Sequence, residues 1–464
     1  MTPAIPLADT NLNLDISGVA GFFGGDVAVS AMATVHVYPG RKWLGWYNTP
    51  GSYEIAKRFG ILGKTRFWDG LYPGVNVDPA ELFELDGAKG PKYRALRSGT
   101  VMKSTGHLAY LFARECKDIS RKEWSPPKGA RKTSPVNVTI ADLEHTPPET
   151  CHPRMSKGST ITATSLVALI PILACIATAI PCAIFKDWTC FSMIVFGMLV
   201  NGVSCFIIGS GVLTFTHPLP AEGAPPADGI LEDGEQIIIL RGAEGAVNPI
   251  TRGRFTLKYA CEPNYHPIGI SSLLLTVQFI VQLVAVPQGE IFGQIMFLSS
   301  LAVSWMYNSY LSSLDKESIQ RRLLHREVLQ SPRLRKFELP TRTSMTVFVL
   351  LVLAARAHKV DRGSLCSVLN DLLPNDTDLW QNWKDRILHE IQNGLPHGPG
   401  QLRFDSPPRE TNSGADVKDD ADLLERLYDD ARLALQAFEA VTRSVLASPF
   451  PYFRRRSSRH RPQR

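Results

Sequence analysis

Four stretches of this chain carry no charged residue, and each is about long enough to cross a bilayer as a helix. They form two close pairs, residues 161–184 with 190–215 and residues 268–286 with 291–311. A helix rises about 1.5 Å per residue, so roughly 20 apolar residues span a hydrocarbon layer of about 30 Å. The sequence therefore predicts a mainly α-helical, multi-pass membrane protein with two transmembrane hairpins.

Most of the chain lies outside these stretches, and it is long enough to build an extramembrane core. The tails are predicted to be mostly helical. In the loop between the hairpins, EQIIILRG and RFTLKYA have the composition of strands and flank the turn-rich sequence GAEGAVNPITRG. This pattern predicts a small β-hairpin-like unit in the middle loop.

The predicted divisions follow changes in hydropathy, proline content and charge. In chain order they are an N-terminal loop or weakly apolar segment (1–37), a soluble region (38–124), a linker (125–160), hairpin 1 (161–215), a cytosolic loop (216–267), hairpin 2 (268–311), a helical region (312–400), a disordered linker (401–418), an amphipathic helix (419–446) and a basic disordered tail (447–464).

Three segments outside the spans carry specific expectations. Residues 106–124 are predicted to form a helix. Residues 344–355 are apolar but too short to span, which favours a buried core helix over a re-entrant segment. Residues 419–446 place apolar side chains on a 4-3 seam, which is typical of a helix that pairs with another helix, either in a partner protein or in the same chain.

Basic residues predict the orientation of the spans. Arg252, Arg254 and Lys258 precede the third span, and a run of arginines and lysines follows the fourth. The hairpin tips offer only Lys186, which lies next to Asp187. Because cytosolic loops are enriched in lysine and arginine, both termini and the middle loop are predicted to be cytosolic.

Several passages outside and between the spans carry a resemblance. They are NLNLDISGV, PGRKWLGWYNTPGSYEIAKRFG, TRFWDGLYPGVNVDP, KYRALRSGT, MKSTGHLA, SRKEWSPP, HPLPAEGAPPADGIL, ITRGRFTLKY, NSYLSSLDKESIQR and TRTSMTVFVLLVL. The chain resembles a group of uncharacterised multi-pass membrane proteins of basidiomycete fungi over most of residues 11–353. The resemblance implies a membrane protein and no particular activity, cofactor or catalytic residue.

Polar side chains within apolar helices are the natural place to seek function, because burying them costs free energy. The candidates are Asn201, Gln278, Gln282 and Gln294, all uncharged. Gln278 and Gln282 are four residues apart and so share a helix face. The favoured interpretation is that these side chains form hydrogen bonds between helices. The alternative is that they line a path for a solute.

The basic residues after the last span suggest lipid contacts. Arg321, Arg322 and Arg326 are candidates for binding anionic headgroups. The expected partners are therefore the lipid bilayer, anionic lipid headgroups and a protein bound through residues 419–446. Nucleic acid is not expected, because the net charge is only +6 and is unevenly placed.

Motifs for catalysis, cofactors and metals are absent from the sequence. There is no GxSxG, GxxxxGK or GxGxxG, and none of the eight cysteines forms a CxxC pair. The predicted function is therefore a non-enzymatic scaffold or adaptor anchored by four spans. The alternative is a channel or transporter for a small solute that uses Asn201, Gln278 and Gln282.

Overall fold

The computed structural model describes residues 24–38, 40–74, 77–146, 149–151, 166–234, 236–356, 361–405 and 415–446. In this part of the chain a layer of apolar helices lies beside a seven-stranded sheet that carries helices on both faces. A three-stranded sheet joins the two parts.

The helices in chain order are α1 (Gly25–Ala33), α2 (Ser52–Gly60), α3 (Arg66–Leu71), α4 (Pro79–Leu82), α5 (His107–Asp118), α6 (Leu169–Ile184), α7 (Trp188–Ile208), α8 (Glu244–Thr251), α9 (His266–Ala285), α10 (Ile291–Ser312), α11 (Lys316–Leu323), α12 (Arg342–Arg356), α13 (Arg362–Leu372), α14 (Asp378–Gly394) and α15 (Ala415–Leu446).

The strands are β1 (Lys92–Ala95), β2 (Val101–Met102), β3 (Lys122–Trp124), β4 (Val136–Asp142), β5 (Glu149–Cys151), β6 (Val212–Thr216), β7 (Gly229–Asp233), β8 (Gln236–Arg241), β9 (Arg254–Lys258) and β10 (Arg333–Leu339). The large sheet has the order β2-β1-β7-β8-β4-β10-β3 and the small sheet the order β5-β6-β9.

The large sheet is mixed, because β8 pairs parallel with β4 and β10 pairs parallel with β3, whereas its other pairs are antiparallel. Both of its faces are covered. On β8, Ile237 and Ile239 face one core, and Ile238 and Leu240 face the other. A strand buried on both faces is a continuous apolar run, which explains the sequence QIIILR.

The helix α12 is the centre of one of these cores. Its side chains from Val347 to Leu353 are all buried, against β4 and β10 on one side and α15 on another. The prediction of a buried core helix at residues 344–355 is therefore confirmed.

The helix layer consists of α6, α7, α9 and α10, together with the short helices α1 and α2. α1 packs on α10, and α2 packs on α9. Both short helices begin at the same place, since a Cβ built on Gly51 would lie 2.6 Å from the Cα of Gly25. Gly51 also has φ +73°, so this position requires glycine for two reasons.

The predicted fold class is wrong in its number of spans. Among the described residues, two helices are long and apolar enough to cross a membrane, Trp188–Ile208 and His266–Gln288, the second being α9 with the turn that follows it. α6 has only 16 residues. α10 has 22 residues, but Ser300, Ser304 and Asn308 reduce its apolar character.

The second predicted span, residues 190–215, is longer than the helix that the structure contains. The apolar run 190–215 includes a helix and a strand, because α7 ends at Ile208 and β6 begins at Val212. Glycines at 209 and 211 separate the two elements. Hydropathy alone does not reveal such a boundary, since both elements are apolar.

The prediction of a mainly α-helical protein with one β-hairpin is also wrong. β8 and β9 belong to different sheets, and α8 lies between them in the chain. The predicted linker 125–160 contains β4, a central strand of the large sheet. The prolines and charges around VNVTIAD obscured this strand in the sequence.

Two regions predicted to be helical also contribute strands. The predicted helix 106–124 is α5 followed by β3, and the region 312–400 contains β10. In each case a segment rich in charged residues forms the strand, KEW in β3 and RLRKFEL in β10. The protein therefore has a mixed α/β fold.

Candidate functional site

Residues 41–49, here called the insert segment, enter the helix layer beside α7. The backbone passes so close to this helix that a Cβ built on Gly45 would lie 2.4 Å from the Cβ of Cys205. Further along the segment, a Cβ on Gly202 would meet the ring of Trp46, and a Cβ on Gly197 would meet the amide of Asn48. The segment therefore runs from the end of α7 toward its middle.

Asn48 connects the insert segment to three helices. Its Nδ2 donates to Oγ of Ser300 at 3.2 Å, and its Oδ1 accepts from Nε2 of Gln282 at 3.1 Å. The Asn48 backbone N–H lies 3.3 Å from the sulfur of Cys175. Asn48 is fully buried, so each of these contacts replaces a bond that water would otherwise make.

Asn201 supports the backbone of the same segment. Its Nδ2 donates to the carbonyl oxygens of Gly45 and Tyr47, at 2.7 and 3.1 Å. Irregular backbone inside an apolar layer has no neighbouring strand to pair with, so its carbonyl groups need side-chain partners. Asn201 supplies that partner from α7.

Tyr47, Asn308 and Thr49 form a chain of hydrogen bonds to α10. The Tyr47 hydroxyl donates to Oδ1 of Asn308 at 2.9 Å, and Nδ2 of Asn308 donates to the Thr49 hydroxyl at 3.0 Å. The Tyr47 hydroxyl also accepts from Arg41, which leaves its own proton for Asn308.

Arg41 is the buried cation of this cluster, with 5 % of its surface exposed. One guanidinium nitrogen donates to the Tyr47 hydroxyl at 2.9 Å, and the guanidinium carbon lies within 6 Å of the Tyr47 and Tyr307 ring centroids. No carboxylate among the described residues lies within 4 Å of it. The aromatic rings and the hydroxyl therefore replace an acidic partner.

The structure brings together three of the four polar residues predicted within spans. Asn201 and Gln282 contact the insert segment, and Nε2 of Gln278 donates to Oε1 of Gln282 at 3.3 Å. Gln294 lies apart, because its Nε2 donates to the carbonyl of Gly289 at 2.9 Å in the turn between α9 and α10.

The sequence analysis placed the other half of this cluster outside the helix layer. Arg41, Tyr47 and Asn48 belong to a segment that was predicted to lie outside the membrane. Their only sequence signal is the run RKWLGWYNTP, in which polar and aromatic residues alternate without a regular period. Asn308 was visible as a polar residue within an apolar stretch and was not singled out.

The three arginines predicted to contact lipid have different surroundings. Arg321 pairs with Asp118 and lies 3.9 Å from Glu317. Arg322 and Arg326 are exposed, and Nε of Arg322 donates to the carbonyl of Ser318. Within the described residues, therefore, Arg322 and Arg326 have no carboxylate partner, whereas Arg321 does.

The cluster has the chemistry of a structural hydrogen-bond network. Its groups are amides, hydroxyls, the thiols of Cys175 and Cys205 and one guanidinium, and within it no hydroxyl or thiol is paired with a carboxylate or an imidazole. Among the described residues there is no group of three or more His, Cys, Asp or Glu side chains arranged to hold a metal ion. What the arrangement does is fix the insert segment to α6, α7, α9 and α10 at once.

Comparison of the chain with known protein families, with curated proteins and with solved structures finds no match.

Proposed function

We propose that the protein is a membrane-anchored scaffold, in which the helix layer, with α7 and α9 as its two long apolar helices, is embedded in the bilayer and holds the large sheet and its helices at the membrane surface. The observation that carries this proposal is the position of the exposed apolar side chains. Most of the large exposed ones lie on the helix layer, including Leu173, Ile176, Ile180, Leu199, Val203, Phe206, Val277, Ile280, Val284, Trp305 and Met306.

The sheet part of the molecule has a different surface. Few large apolar side chains are exposed there, among them Val101, Leu219 and Leu423. Soluble proteins rarely expose large apolar patches, so apolar side chains concentrated on one layer of helices indicate contact with lipid. α6 and α10 flank the two longer helices and add to the same surface.

The distribution of basic residues supports one orientation. Arg252, Arg254 and Arg322 lie on the side of the sheets, whereas the opposite tips carry Lys186 beside Asp187. By the positive-inside rule, the sheets and the C-terminal helix α15 face the cytosol.

The buried polar cluster supports a scaffold rather than a solute path. Asn201 and Gln282 bind the insert segment, which occupies the space between the helices where a path would run. The middle loop also shares a core with residues 333–394, because β7, β8 and β10 lie in one sheet that packs against α12, α13 and α14. A single large domain at the membrane surface suits the binding of other proteins.

Extraction with alkaline carbonate tests the anchor. The full-length protein should remain in the membrane pellet. Replacing Ile280 and Val284 by Asp on the exposed face of α9 should move a large share of it to the supernatant or to degradation, because each buried carboxylate costs about 2.5–3.5 kcal/mol.

Val101→Asp is the matched control, since Val101 is equally exposed but lies on an edge strand of the large sheet, and this variant should stay in the pellet. Release of the unmodified protein by carbonate would refute the anchor. The scaffold role further requires a stoichiometric protein partner that is retained in mild detergent.

A further inference from the structure

One end of the helix layer carries basic and aromatic side chains together. At the C-terminal end of α7, the Trp43 ring lies 4.8 Å from that of Phe206, and both side chains are exposed. Lys42 precedes Trp43 and holds its ammonium group 5.8 Å from the centre of the indole. This arrangement places a cation beside two rings at the boundary of the apolar surface.

A second group lies at the N-terminal end of α9. A Cβ built on Gly269 of this helix would touch the ring of Trp68, which fixes α3 to α9. On the outer side of α3, Phe67 and Leu71 are exposed beside exposed Arg66. Lys64 precedes α3, and its ammonium group lies 5.1 Å from the Tyr265 ring centre.

Both groups lie at the same end of the helix layer. α7 leads directly into β6 and α9 follows β9, and these two strands are paired. The groups therefore lie on the side of the sheets, where the apolar surface ends. Arg322 of α11 is exposed on the same side, since α11 follows the end of α10.

The basic residues of this boundary are not neutralised within the described structure. Lys42, Lys64, Arg66 and Arg322 have no carboxylate within 4 Å among the described residues. Nearby acids serve the backbone, since Asp315 accepts from the N–H of Ser318 and Glu262 accepts from the N–H of Tyr259. Asp69 of α3 is the exposed acid beside Arg66.

We propose that Lys42, Lys64, Arg66 and Arg322 form a headgroup rim that binds anionic phospholipids, with Trp43 and Phe67 seated at the boundary of the bilayer. The rim rests on the proposed membrane anchor, because the same apolar helices must be in lipid for the rim to meet headgroups. Amphipathic rings favour the membrane interface, and lysine and arginine near it attract anionic lipid. Arg321, which pairs with Asp118, is not part of the rim.

The test compares two variants with equal changes in charge. The rim variant replaces Lys42, Lys64, Arg66 and Arg322 by Gln. The control variant replaces Arg97, Lys103, Arg121 and Lys128 by Gln, which are two lysines and two arginines exposed on the sheet part. Full-length proteins are reconstituted into phosphatidylcholine vesicles that contain spin-labelled phosphatidylglycerol or spin-labelled phosphatidylcholine.

The unmodified protein should associate with the anionic label at least about threefold more strongly than with the zwitterionic label, and added salt should reduce this preference. For the rim variant, the ratio of association with the anionic label to association with the zwitterionic label should be close to one. The control variant should keep the ratio of the unmodified protein. Equal preference of the unmodified protein for both labels, or equal loss in both variants, would overturn the rim.

Carbonate extraction of the same vesicles keeps the two proposals separate. If the protein stays in the vesicles but shows no lipid preference, the rim fails and the anchor stands. If the protein is extracted, the anchor fails and the rim fails with it. A rim variant that does not reconstitute is replaced by the pair Lys64→Gln and Arg66→Gln, whose side chains are both exposed, with a partial loss of preference expected.

Discussion

At the scale of single residues, Asn48 is the side chain on which most of the buried cluster depends. Its amide group contacts α9 and α10, and its backbone N–H contacts α6. Its removal would leave the amide of Gln282 and the hydroxyl of Ser300 without these partners in a water-free environment. Buried groups left unpaired cost more than the bond itself contributed.

Asn48→Ala should therefore lower the stability of the protein in detergent by about 2–3 kcal/mol. The measurement is thermal unfolding of the purified protein, with Asn393→Ala as the control, because Asn393 is exposed on α14. An unfolding temperature that is the same for both variants would show that the cluster contributes little.

His36 links stability to pH. Its half-buried ring packs against Phe83, with 4.5 Å between the ring centres, and its Nε2 lies 3.1 Å from the Tyr259 hydroxyl. Burial lowers the pKa of His36 to about 3, from 6.5. Between these values the unfolded chain binds one more proton than the folded chain, so stability is complete above pH 6.5 and falls as the pH decreases.

The expected slope from His36 is up to about 1.4 kcal/mol per pH unit. Unfolding in denaturant between pH 7 and pH 4.5 measures this slope. His36→Gln should lower the number of protons taken up on unfolding by close to one, and the slope should decrease accordingly. The same replacement at exposed His389 is the control. If both replacements flatten the slope equally, the effect does not belong to His36.

At the scale of elements, α15 completes the core around α12. Ala431, Ala434 and Ala437 are fully buried, and small side chains at this spacing let α15 approach α12 closely. The sequence left open whether residues 419–446 pair with a partner protein or within the chain. In the structure the apolar side of this helix is covered by the same chain.

Ala434→Arg should displace α15, because it places a long, charged side chain where no space exists, at a cost of more than about 3 kcal/mol. The measurement is the rate of trypsin cleavage within residues 415–446 under native conditions. Gln436→Arg adds the same cleavage site on the exposed side of the helix and should leave the rate nearly unchanged. Comparable cleavage of both variants would contradict docking through this face.

The elements that could be predicted from the sequence are those whose pattern is local. The apolar content of α12 and the helical spacing in α14 and α15 each depend on one short window, and these helices are present. The large sheet could not be predicted, since its strands come from five separate parts of the chain. β4 pairs with β10 almost 200 residues away, and the sequence VNVTIAD contains no pattern that predicts RLRKFEL as its neighbouring strand.

The candidate site was predictable only in part for the same reason. Asn201, Gln278 and Gln282 stand out because they interrupt apolar helices. Their partners lie in an irregular segment far earlier in the chain, where polar residues are ordinary. A polar residue within an apolar helix therefore indicates that a partner exists, but its identity requires the fold.

At the scale of the whole molecule, two kinds of surface meet where the helix layer joins the sheet part. The helix layer exposes apolar side chains, and the sheet part exposes charged ones. The mild net charge of +6 conceals this separation, since acids and bases are paired on the sheet part, as in the network of Lys92, Arg94 and Asp371. The helix layer and the sheet part are thus parts of one folded unit, joined by the small sheet.

The position of the insert segment has a consequence for biosynthesis. Thr49 leaves the ribosome long before Asn308, its partner 259 residues later in the chain. Asn201 and Gln282 likewise emerge after the backbone and side chain that they bind. The insert segment therefore cannot complete its hydrogen bonds until α10 has been synthesised. The last helix of the layer thus determines when the first segment of the layer can reach its final position.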